Sequence, residues 1–295
     1  MPFTKKSKLG FIGAGRVGKA LAVALHSQGY DVVSVASRTF TSAEALAELV
    51  PGCATYATFD EAASAADFVL ITSTDDAIGP VVTTTAWRSG QGVAHCSGSA
   101  SLDVLEGAAR QGAEIGAFHP LQAFTTLENS VKSLPGSTFA IEGNDEMRAF
   151  LTEMATALGG NPIFLRSEDK ALYHASVVML GGVFMAFAGA VAGMWRQFDI
   201  EPNQALKALV PIAQGVCLTL GSDGVPDGLA GPYVRGDVST VQKHVDAIGT
   251  FAPHMLQTYC HMALSGLDLC FEKGDVPQDR AEMIREILTS ATQSA

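Results

Sequence analysis

The chain of 295 residues is long enough for about two domains, each with its own hydrophobic core. Its formal net charge of −11 argues against nucleic acid or an anionic membrane surface as the main partner, because both select for an excess of Lys and Arg. The five cysteines are scattered without a CxxC pair, which indicates reduced thiols, no metal site and a cytoplasmic protein.

The first half of the chain alternates β-rich segments with helical patterns. The segments that predict strands span residues 8–13, 31–37, 67–73, 92–97, 114–118, 136–143 and 161–166. Strands separated by helices form parallel sheets with helices on both faces. We therefore predict an α/β fold, a Rossmann-type doubly wound parallel sheet, for residues 1–166.

A glycine motif follows the first predicted strand and opens an amphipathic helix. It reads Gly13-Ala14-Gly15-Arg16-Val17-Gly18. In a dinucleotide-binding loop the first glycine allows the turn, the second lets the pyrophosphate approach, and the third lets helix and strand pack closely. The alternative is a purely structural turn, but the strand and helix on either side favour dinucleotide binding by these six residues.

The end of the second predicted strand indicates which dinucleotide binds. An NAD site usually has Asp or Glu there to hold the ribose hydroxyls. This chain instead has Ser37-Arg38-Thr39, in which the guanidinium can bind a 2′-phosphate and both hydroxyls can donate to it. We therefore predict NADP as cofactor, with NADPH preferred over NADH. A solvated surface arginine is the alternative.

Polar residues also follow other strand ends, where open α/β sheets bind ligands. The predicted cofactor contacts there are Ser73, Thr74, Asp75 and Ser97, and the predicted substrate contacts are Ser99 and Gln122. His119 is expected just after strand 114–118, on the cofactor's side of the sheet, and is a catalytic candidate. A structural histidine in a turn is the alternative.

Residues 167–295 predict an all-α domain for substrate binding and dimerisation, with Ser167 capping a helix that runs to about Phe198. Lys170, Tyr173 and His174 share one face of this helix. A lysine in the first turn opposes the helix dipole, which lowers its pKa and suits a proton donor. Lys170 and His174 are therefore catalytic candidates, and Tyr173 is a substrate contact. A snorkelling lysine is the alternative.

Two further features lie in this second half. Arg235 and Asp237 follow a glycine-rich loop, where Arg235 could bind a substrate carboxylate, although Asp237 could equally be a helix N-cap. Residues 175–194 carry no charge over 20 positions, about the length of a membrane span, but nine of them are Ala or Gly. We predict that this helix packs in a homodimer interface rather than in a membrane.

Four stretches together resemble a known family: GFIGAGRVG, FHPLQAF, KALYHAS and GPYVRGDVSTVQKH. They are similar to Rossmann-like oxidoreductases that carry a C-terminal helical domain of long-uncharacterised function, within the 6-phosphogluconate dehydrogenase-like superfamily. Some members are assigned as alternative ketopantoate reductases. The resemblance implies a C-terminal domain like that of 6-phosphogluconate dehydrogenase and NADPH-dependent reduction of a small keto acid or imine.

The resemblance leaves two alternatives open. The His-Pro of FHPLQAF is also similar to prephenate dehydrogenases, which implies a catalytic or substrate-binding His119 in an NADP-dependent dehydrogenase. Gly182 stands where the family commonly has Asn, and Ala230 where a Thr precedes Gly-Pro. These departures suggest a non-catalytic dinucleotide-binding or redox-sensing protein as the other alternative.

Overall fold

The alternating segments of the first half form one eight-stranded sheet in the order β3-β2-β1-β4-β5-β6-β7-β8. The structure is a computed structural model that describes residues 3–274 and 276–293. The strands are β1 Lys8–Ile12, β2 Asp31–Ala36, β3 Ala54–Thr55, β4 Phe68–Ile71, β5 Gly92–His95, β6 Glu114–Leu121, β7 Thr138–Gly143 and β8 Asn161–Phe164. The prediction from the sequence lacked β3, because two residues are too short to show an alternation.

The sheet is mostly parallel, as predicted, but its strand directions change once. Strands β1 to β6 pair in parallel, β7 runs antiparallel to β6, and β8 is parallel to β7. Helices lie between the strands: α1 Arg16–Ser27, α2 Phe40–Ala47, α3 Phe59–Ser64, α4 Asp75–Thr84, α5 Glu106–Ala109, α6 Leu127–Lys132 and α7 Asp145–Ala157.

Two hydrophobic clusters cover the two faces of the sheet. On one face, Phe68 of β4 contacts Phe3 and Phe150, with ring centroids 5.3 and 5.0 Å away. On the other face, Ile71 belongs to a cluster with Ile78 of α4. Burying a side chain of this size stabilises the fold by about 1.5–3 kcal/mol, so the central strands are the most firmly held part of this half.

Strand β6 is longer than predicted, which changes the position of His119. The histidine was expected just after the strand, but β6 continues through it and through Pro120 to Leu121. The last parallel pair with β5 joins His95 to Ala117, so beyond Ala117 the strand pairs only with β7. Pro120 lacks an N–H group, and it is tolerated because this part of β6 has no strand paired on the β5 side.

The chain divides into two compact units, the first ending at Gly181 and the second beginning at Gly182. The first unit therefore includes α8 Lys170–Val178, which lies beyond the boundary expected near residue 166. Ser167 was expected to cap this helical segment through its side chain. Its hydroxyl instead donates to the Glu142 carboxylate on β7.

The second unit is helical, as predicted. A π-helical turn at Met179–Val183 leads into its helices: α9 Phe184–Met194, α10 Pro202–Ser222, α11 Val238–Phe251, α12 Leu256–Lys273 and α13 Gln278–Gln293. The last three helices enclose a core that includes Val241, Leu267 and Ile284.

Much of the apolar surface of α8 to α10 is exposed. Leu172, Leu180, Met185 and Leu218 are 79, 81, 76 and 76% exposed. Two segments of the described chain, Ser167–Phe198 and Pro202–Ser222, are long and apolar enough to cross a membrane, with mean hydropathy of 2.1 and 1.4. Core helices of soluble proteins meet the same criteria, so length and composition do not by themselves identify a membrane span.

Candidate functional site

The turn after β1 requires glycine at position 13. Gly13 has a φ of 109°, which favours glycine over all other residues. A Cβ there would lie 2.7 Å from backbone atoms of Thr72 and Ser73. The Thr72 hydroxyl donates to the Gly13 carbonyl at 2.7 Å. The turn is therefore held directly against the end of β4.

The other two glycines of the motif have opposite surroundings. Apart from its own helix and chain neighbours, no atom of the described residues lies within 4 Å of where a Cβ on Gly15 would be, so the loop is open at that point. A Cβ on Gly18 would lie 2.4 Å from the Gly13 carbonyl oxygen, so only glycine lets α1 pack this close to the turn. Gly15 is the N-cap of α1, and the first-turn amides of the helix can therefore bind a phosphate at the open point.

A cleft of about 560 Å³ extends from this loop along the carboxyl ends of the strands. Eight of the predicted cofactor residues line it: Gly13, Ala14, Gly15, Ser37, Arg38, Thr39, Ser73 and Thr74. The lining also includes Ser42, Phe59 and Asp76, which the sequence analysis did not identify. Arg38 is exposed at the cleft, so its guanidinium is free to turn toward a ligand.

The remaining predicted cofactor residues lie outside the lining of this cleft. Arg16 lines a smaller neighbouring cavity of about 250 Å³ together with Lys19. Val17 is in the first turn of α1, behind the loop. Asp75 and Ser97 belong to the polar cluster beyond β4 and β5 that is described next.

His119 and Tyr173, both half-buried, are in direct contact within this cluster. The His119 Nδ1 atom lies 2.9 Å from the Tyr173 hydroxyl, and the His119 and His174 ring centroids are 6.1 Å apart. Burial raises the pKa of Tyr173 to about 12, so its hydroxyl keeps its proton and can donate to Nδ1. In that tautomer the imidazole proton is on Nε2.

Gly98 allows the two histidines to lie this close to the chain. A Cβ on Gly98 would be 2.8 Å from His119 Nε2 and 2.6 Å from His174 Cδ2. Both rings therefore rest directly on the backbone of the loop that follows β5. The loop in turn is held by Ser97, whose hydroxyl accepts from the N–H groups of Ser99 and Ala100 at 3.2 and 3.0 Å.

The same loop is tied to α4 on its other side. The Ser99 hydroxyl donates to the Asp75 carboxylate at 2.8 Å, in the first turn of α4. At the base of the loop, the Ser97 N–H donates to His95 Nδ1 at 3.2 Å. Asp75 and Ser97 thus support the loop rather than line the cleft.

Lys170 lies in the interior of the first unit. It is 2% exposed, and its Nζ donates to the Ser97 carbonyl at 3.3 Å. The carboxylate of Glu142 is 3.9 Å from the same nitrogen. The sequence placed Lys170 in the predicted helical domain, whereas in the structure it belongs to the first unit and packs beneath the loop.

Burial and positive charge together keep two imidazoles neutral. Burial, with Lys170 as a further cause, lowers the pKa of His119 to about 4 and that of His95 to about 3. Burial also lowers the pKa of Lys170, and the nearby Glu142 carboxylate opposes that change. At neutral pH, His119 is therefore an uncharged imidazole.

Gln122 does not face the His119 cluster, contrary to the prediction. Its amide nitrogen donates to the Ser133 carbonyl at 2.9 Å and to the Ser137 hydroxyl at 3.2 Å. Its Oε1 accepts from the Ala123 N–H at 2.7 Å. The side chain is used to hold the segment between β6 and β7.

Asp237 acts as a helix cap, the alternative that the sequence left open. It is the N-cap of α11 and accepts from the N–H and hydroxyl of Thr240 at 3.1 and 2.7 Å. These hydrogen bonds lower the pKa of Asp237. Arg235 is an exposed residue of the second unit, just before this cap.

Two buried ionisable residues of the cluster, His95 and Glu142, were not predicted from the sequence. Each stands in an otherwise apolar strand, in GVAH and TFAIEG. A polar side chain within a strand that is buried on both faces was the available signal, since such a residue needs a specific partner.

The lowered pKa of His119 has a consequence for stability. Its folded pKa of about 4 is below the ordinary value of 6.5, so the unfolded chain binds the proton first as pH falls. Stability should therefore fall between pH 6.5 and 4, by about 1.4 kcal/mol per pH unit for such a group. Because the slope is less steep near both ends of this range, we expect His119→Asn to lose about 2.5 kcal/mol less of its unfolding free energy than wild type does, measured by denaturant unfolding.

The matched control is His261→Asn, which removes an exposed imidazole from α12. Carboxylates titrate alike in all three proteins, so only the difference between them is interpreted. Equal pH dependence in wild type and His119→Asn would contradict a buried, neutral His119.

Two family models match the chain. A model described as a Rossmann-like domain matches residues 4–120. A model described as a domain of unknown function (DUF2520) matches residues 137–265, which include Glu142, Lys170 and His174. Among curated proteins, no sequence matches the chain.

Solved structures share the fold over nearly the whole chain. A candidate NADP oxidoreductase from Bacteroides fragilis is 22% identical with a TM-score of 0.70, covering 90% of this chain and 99% of that one. A reductive aminase from Aspergillus terreus, in complex with NADPH and ethyl-5-oxohexanoate, is 18% identical with a TM-score of 0.59, covering 98% and 95%. A 1-pyrroline-5-carboxylate reductase from Streptococcus pyogenes is 16% identical with a TM-score of 0.59, covering 98% and 100%.

At these identities the likeness establishes the fold alone, and each of the two family models matches less than half of the chain. Residues 4–120 are therefore similar to a Rossmann-like domain and residues 137–265 to a DUF2520 domain, and the chain shares its fold with the NADP oxidoreductase, the reductive aminase and the 1-pyrroline-5-carboxylate reductase named above.

Proposed function

We propose that the chain is an NADPH-dependent oxidoreductase that reduces a small keto acid or imine. The observation that carries the proposal is the location of the His119–Tyr173 pair. It lies at the same sheet edge as the open glycine loop, beyond the carboxyl ends of β4 and β5. Open α/β sheets bind cofactor and substrate at this edge.

The cleft fits NADP in two respects. The open space at Gly15 and the N-terminus of α1 suit a pyrophosphate, and the exposed Arg38 with Ser37 and Thr39 suits a 2′-phosphate. NADPH, when bound, supplies the hydride. The similar reductive aminase is a complex with NADPH and a keto ester, which supports this cofactor and substrate class.

The chain's own contribution to chemistry is proton transfer and orientation. His119 is the group that we propose exchanges a proton with the substrate oxygen or nitrogen, with Tyr173 fixing its ring through Nδ1. His174, on the same backbone support, is a second proton-handling group. Lys170 supplies positive charge from below, and a direct donation from it would require the side chain to leave its buried position.

A dehydrogenase working in the opposite direction is the second candidate, and one observation favours it. The lowered pKa of His119 leaves the imidazole unprotonated at neutral pH, the state that a base needs for oxidation of an alcohol, and Nε2 accepts the proton in the tautomer whose Nδ1–H donates to the Tyr173 oxygen. Turnover of NADPH with 2-keto acids and imines, and of NADP⁺ with the matching alcohols and amines, separates the directions. NADPH binding without turnover in either direction would favour a sensor.

The cofactor preference gives a test of Arg38. We expect Arg38→Ala to weaken NADPH binding by about 10–100-fold, because a charge-assisted contact of about 1.5–3 kcal/mol is lost, and to leave NADH binding nearly unchanged. Fluorescence titration of both cofactors measures this.

A matched control is Arg110→Ala, which removes an exposed arginine paired with Glu106 away from the cleft. It should leave both affinities as they are. If Arg38→Ala weakens NADPH and NADH equally, the residue serves packing and does not select the 2′-phosphate.

The proton-transfer role gives a test of His119. We expect His119→Asn to keep the fold and the NADPH affinity while lowering turnover by about 10²–10⁴-fold with a substrate found in the panel. His254→Asn, an exposed histidine of the second unit, is the control. Near-wild-type turnover in His119→Asn would show that the imidazole is structural.

We also propose that the protein is a cytoplasmic homodimer and that a second copy covers the exposed apolar side chains of α8 to α10. Soluble monomers rarely leave a large continuous apolar patch in water. The many Ala and Gly residues in 175–194 allow helices of two copies to approach closely.

Sedimentation velocity at micromolar concentration, without detergent, should show a dimer. Leu180→Glu should weaken it, because a charge would be buried in the interface, whereas Leu49→Glu on the first unit should not. A wild-type monomer in buffer would contradict the dimer, and recovery only with detergent or vesicles would favour a membrane partner.

A further inference from the structure

Three residues that are far apart in sequence form a row across the sheet. Strand pairing sets His95 of β5 beside Ala117 of β6, and Ala117 beside Glu142 of β7. Partners in register project to the same face of a sheet. His119, two residues after Ala117, also belongs to this face. This face of the sheet therefore carries two histidines and one carboxylate, and within the row the Ala117 methyl group lies between His95 and Glu142.

Glu142 is buried, and only one of its two carboxylate oxygens accepts a hydrogen bond from a described residue. It is 6% exposed, and its Oε1 accepts from the Ser167 hydroxyl. Its Oε2 has no hydrogen-bond partner among the described residues and lies 3.9 Å from Lys170 Nζ. A carboxylate in this position stays charged only when a cation lies beside it.

Charged and titratable groups face Lys170 from three strands of the sheet, from α4 and from the loop after β5. Glu142 is on β7, Asp75 on α4, and Cys96 follows β5. His95 on β5 and His119 on β6 also interact with the ammonium. Burial keeps both imidazoles neutral and raises the pKa of Cys96 to about 12, so its thiol is also neutral. Glu142 is the acid that forms an ion pair with Lys170.

We propose that Glu142 is a positioning residue of the active site. Together with Ser167 it holds Lys170 as a cation against the Ser97 carbonyl, and this fixes the loop on which His119 and His174 rest. An effect of Glu142 on turnover rests on the proposed oxidoreductase function, whereas its effect on the protonation of Lys170 does not.

A positioning role for Glu142 and a purely structural one lead to different results when its charge is removed. If Glu142 acts through Lys170, removing its charge without changing its shape must change the proton affinity of Lys170 and the position of the Ser97–Ser99 loop. If it serves only packing and the hydrogen bond from Ser167, the isosteric amide should leave Lys170 as it is.

The test is Glu142→Gln in the full chain, followed by ¹³C NMR of protein labelled at the lysine ε-carbons, with the Lys170 signal assigned by its loss in Lys170→Arg. We expect the titration midpoint of Lys170 to fall by about one pH unit or more, a tenfold loss of proton affinity. Glu142→Asp should restore part of it. An unchanged Lys170 titration would overturn the proposal.

The matched control is Glu114→Gln. Glu114 begins the neighbouring strand β6 and accepts from the Asn144 amide at 2.7 Å, away from Lys170. This variant should leave the Lys170 signal unchanged. If Glu142→Gln does not fold, Ser167→Ala is used in its place. This variant should also lower the titration midpoint of Lys170, by a smaller amount. An unchanged midpoint would again overturn the proposal.

Turnover gives the second measurement. In Glu142→Gln the alkaline decline of kcat should move to lower pH together with the Lys170 midpoint, while NADPH affinity changes less than about threefold, since the cleft lining does not include Glu142. A kcat profile unchanged in pH, beside a shifted Lys170 midpoint, would overturn the active-site role. Absence of turnover in the wild type would instead count against the proposed function, and the NMR titration would still decide the positioning of Lys170.

Discussion

A single buried ammonium group determines much of the arrangement described above. Taking the Lys170 charge out of water is costly unless negative groups surround it, and the protein supplies a carboxylate from β7 and a carbonyl from the loop after β5. Those two partners anchor the first turn of α8 against the sheet. Tyr173 and His174 follow within the next turn of that helix, so their positions beside His119 and Gly98 depend on where the lysine is held.

The glycine loop, in contrast, depends on residues that lack a side chain. Side chains are excluded at Gly13 and Gly18 because backbone atoms already occupy the space, and Gly15 leaves an opening. The cleft is therefore formed by local backbone geometry, while the neighbouring polar cluster is formed by charge pairing between distant segments. These two kinds of construction meet at the carboxyl edge of one sheet, where Ser73 lines the cleft and Asp75, two residues later, holds the loop of the polar cluster.

This difference also explains what the sequence alone could predict. The glycine loop and the buried strands are local patterns, and both could be located without the fold. Glu142 could not be assigned, because its role depends on β7 running antiparallel to β6 in one register, and an apolar strand carries no mark of its direction. Asp237 could be a ligand or a cap on sequence grounds, and only the hydrogen bonds with Thr240 decide between them. Gln122 was placed at the site because it follows His119, but a strand that continues through Pro120 carries it onward into the segment before β7.

The hydrogen bonds of Gln122 bear on how the strands β6 and β7 find their alignment. Side chains alternate between the two faces of a strand, so sliding β7 by one residue along β6 would turn Glu142 away from Lys170 and leave Ala140 and Ile141 on the wrong sides. The connection between these strands is 16 residues long, from Gln122 to Ser137, and includes α6; a connection of that length does not by itself enforce a register. Gln122, the first residue of the connection, is hydrogen-bonded to Ser133 and Ser137 near the end of the connection. These bonds bring the two ends together and fix the distance that the connection spans. An insertion or deletion inside this segment would thus shift the register of β7 and leave the buried Lys170 without its counter-ion Glu142.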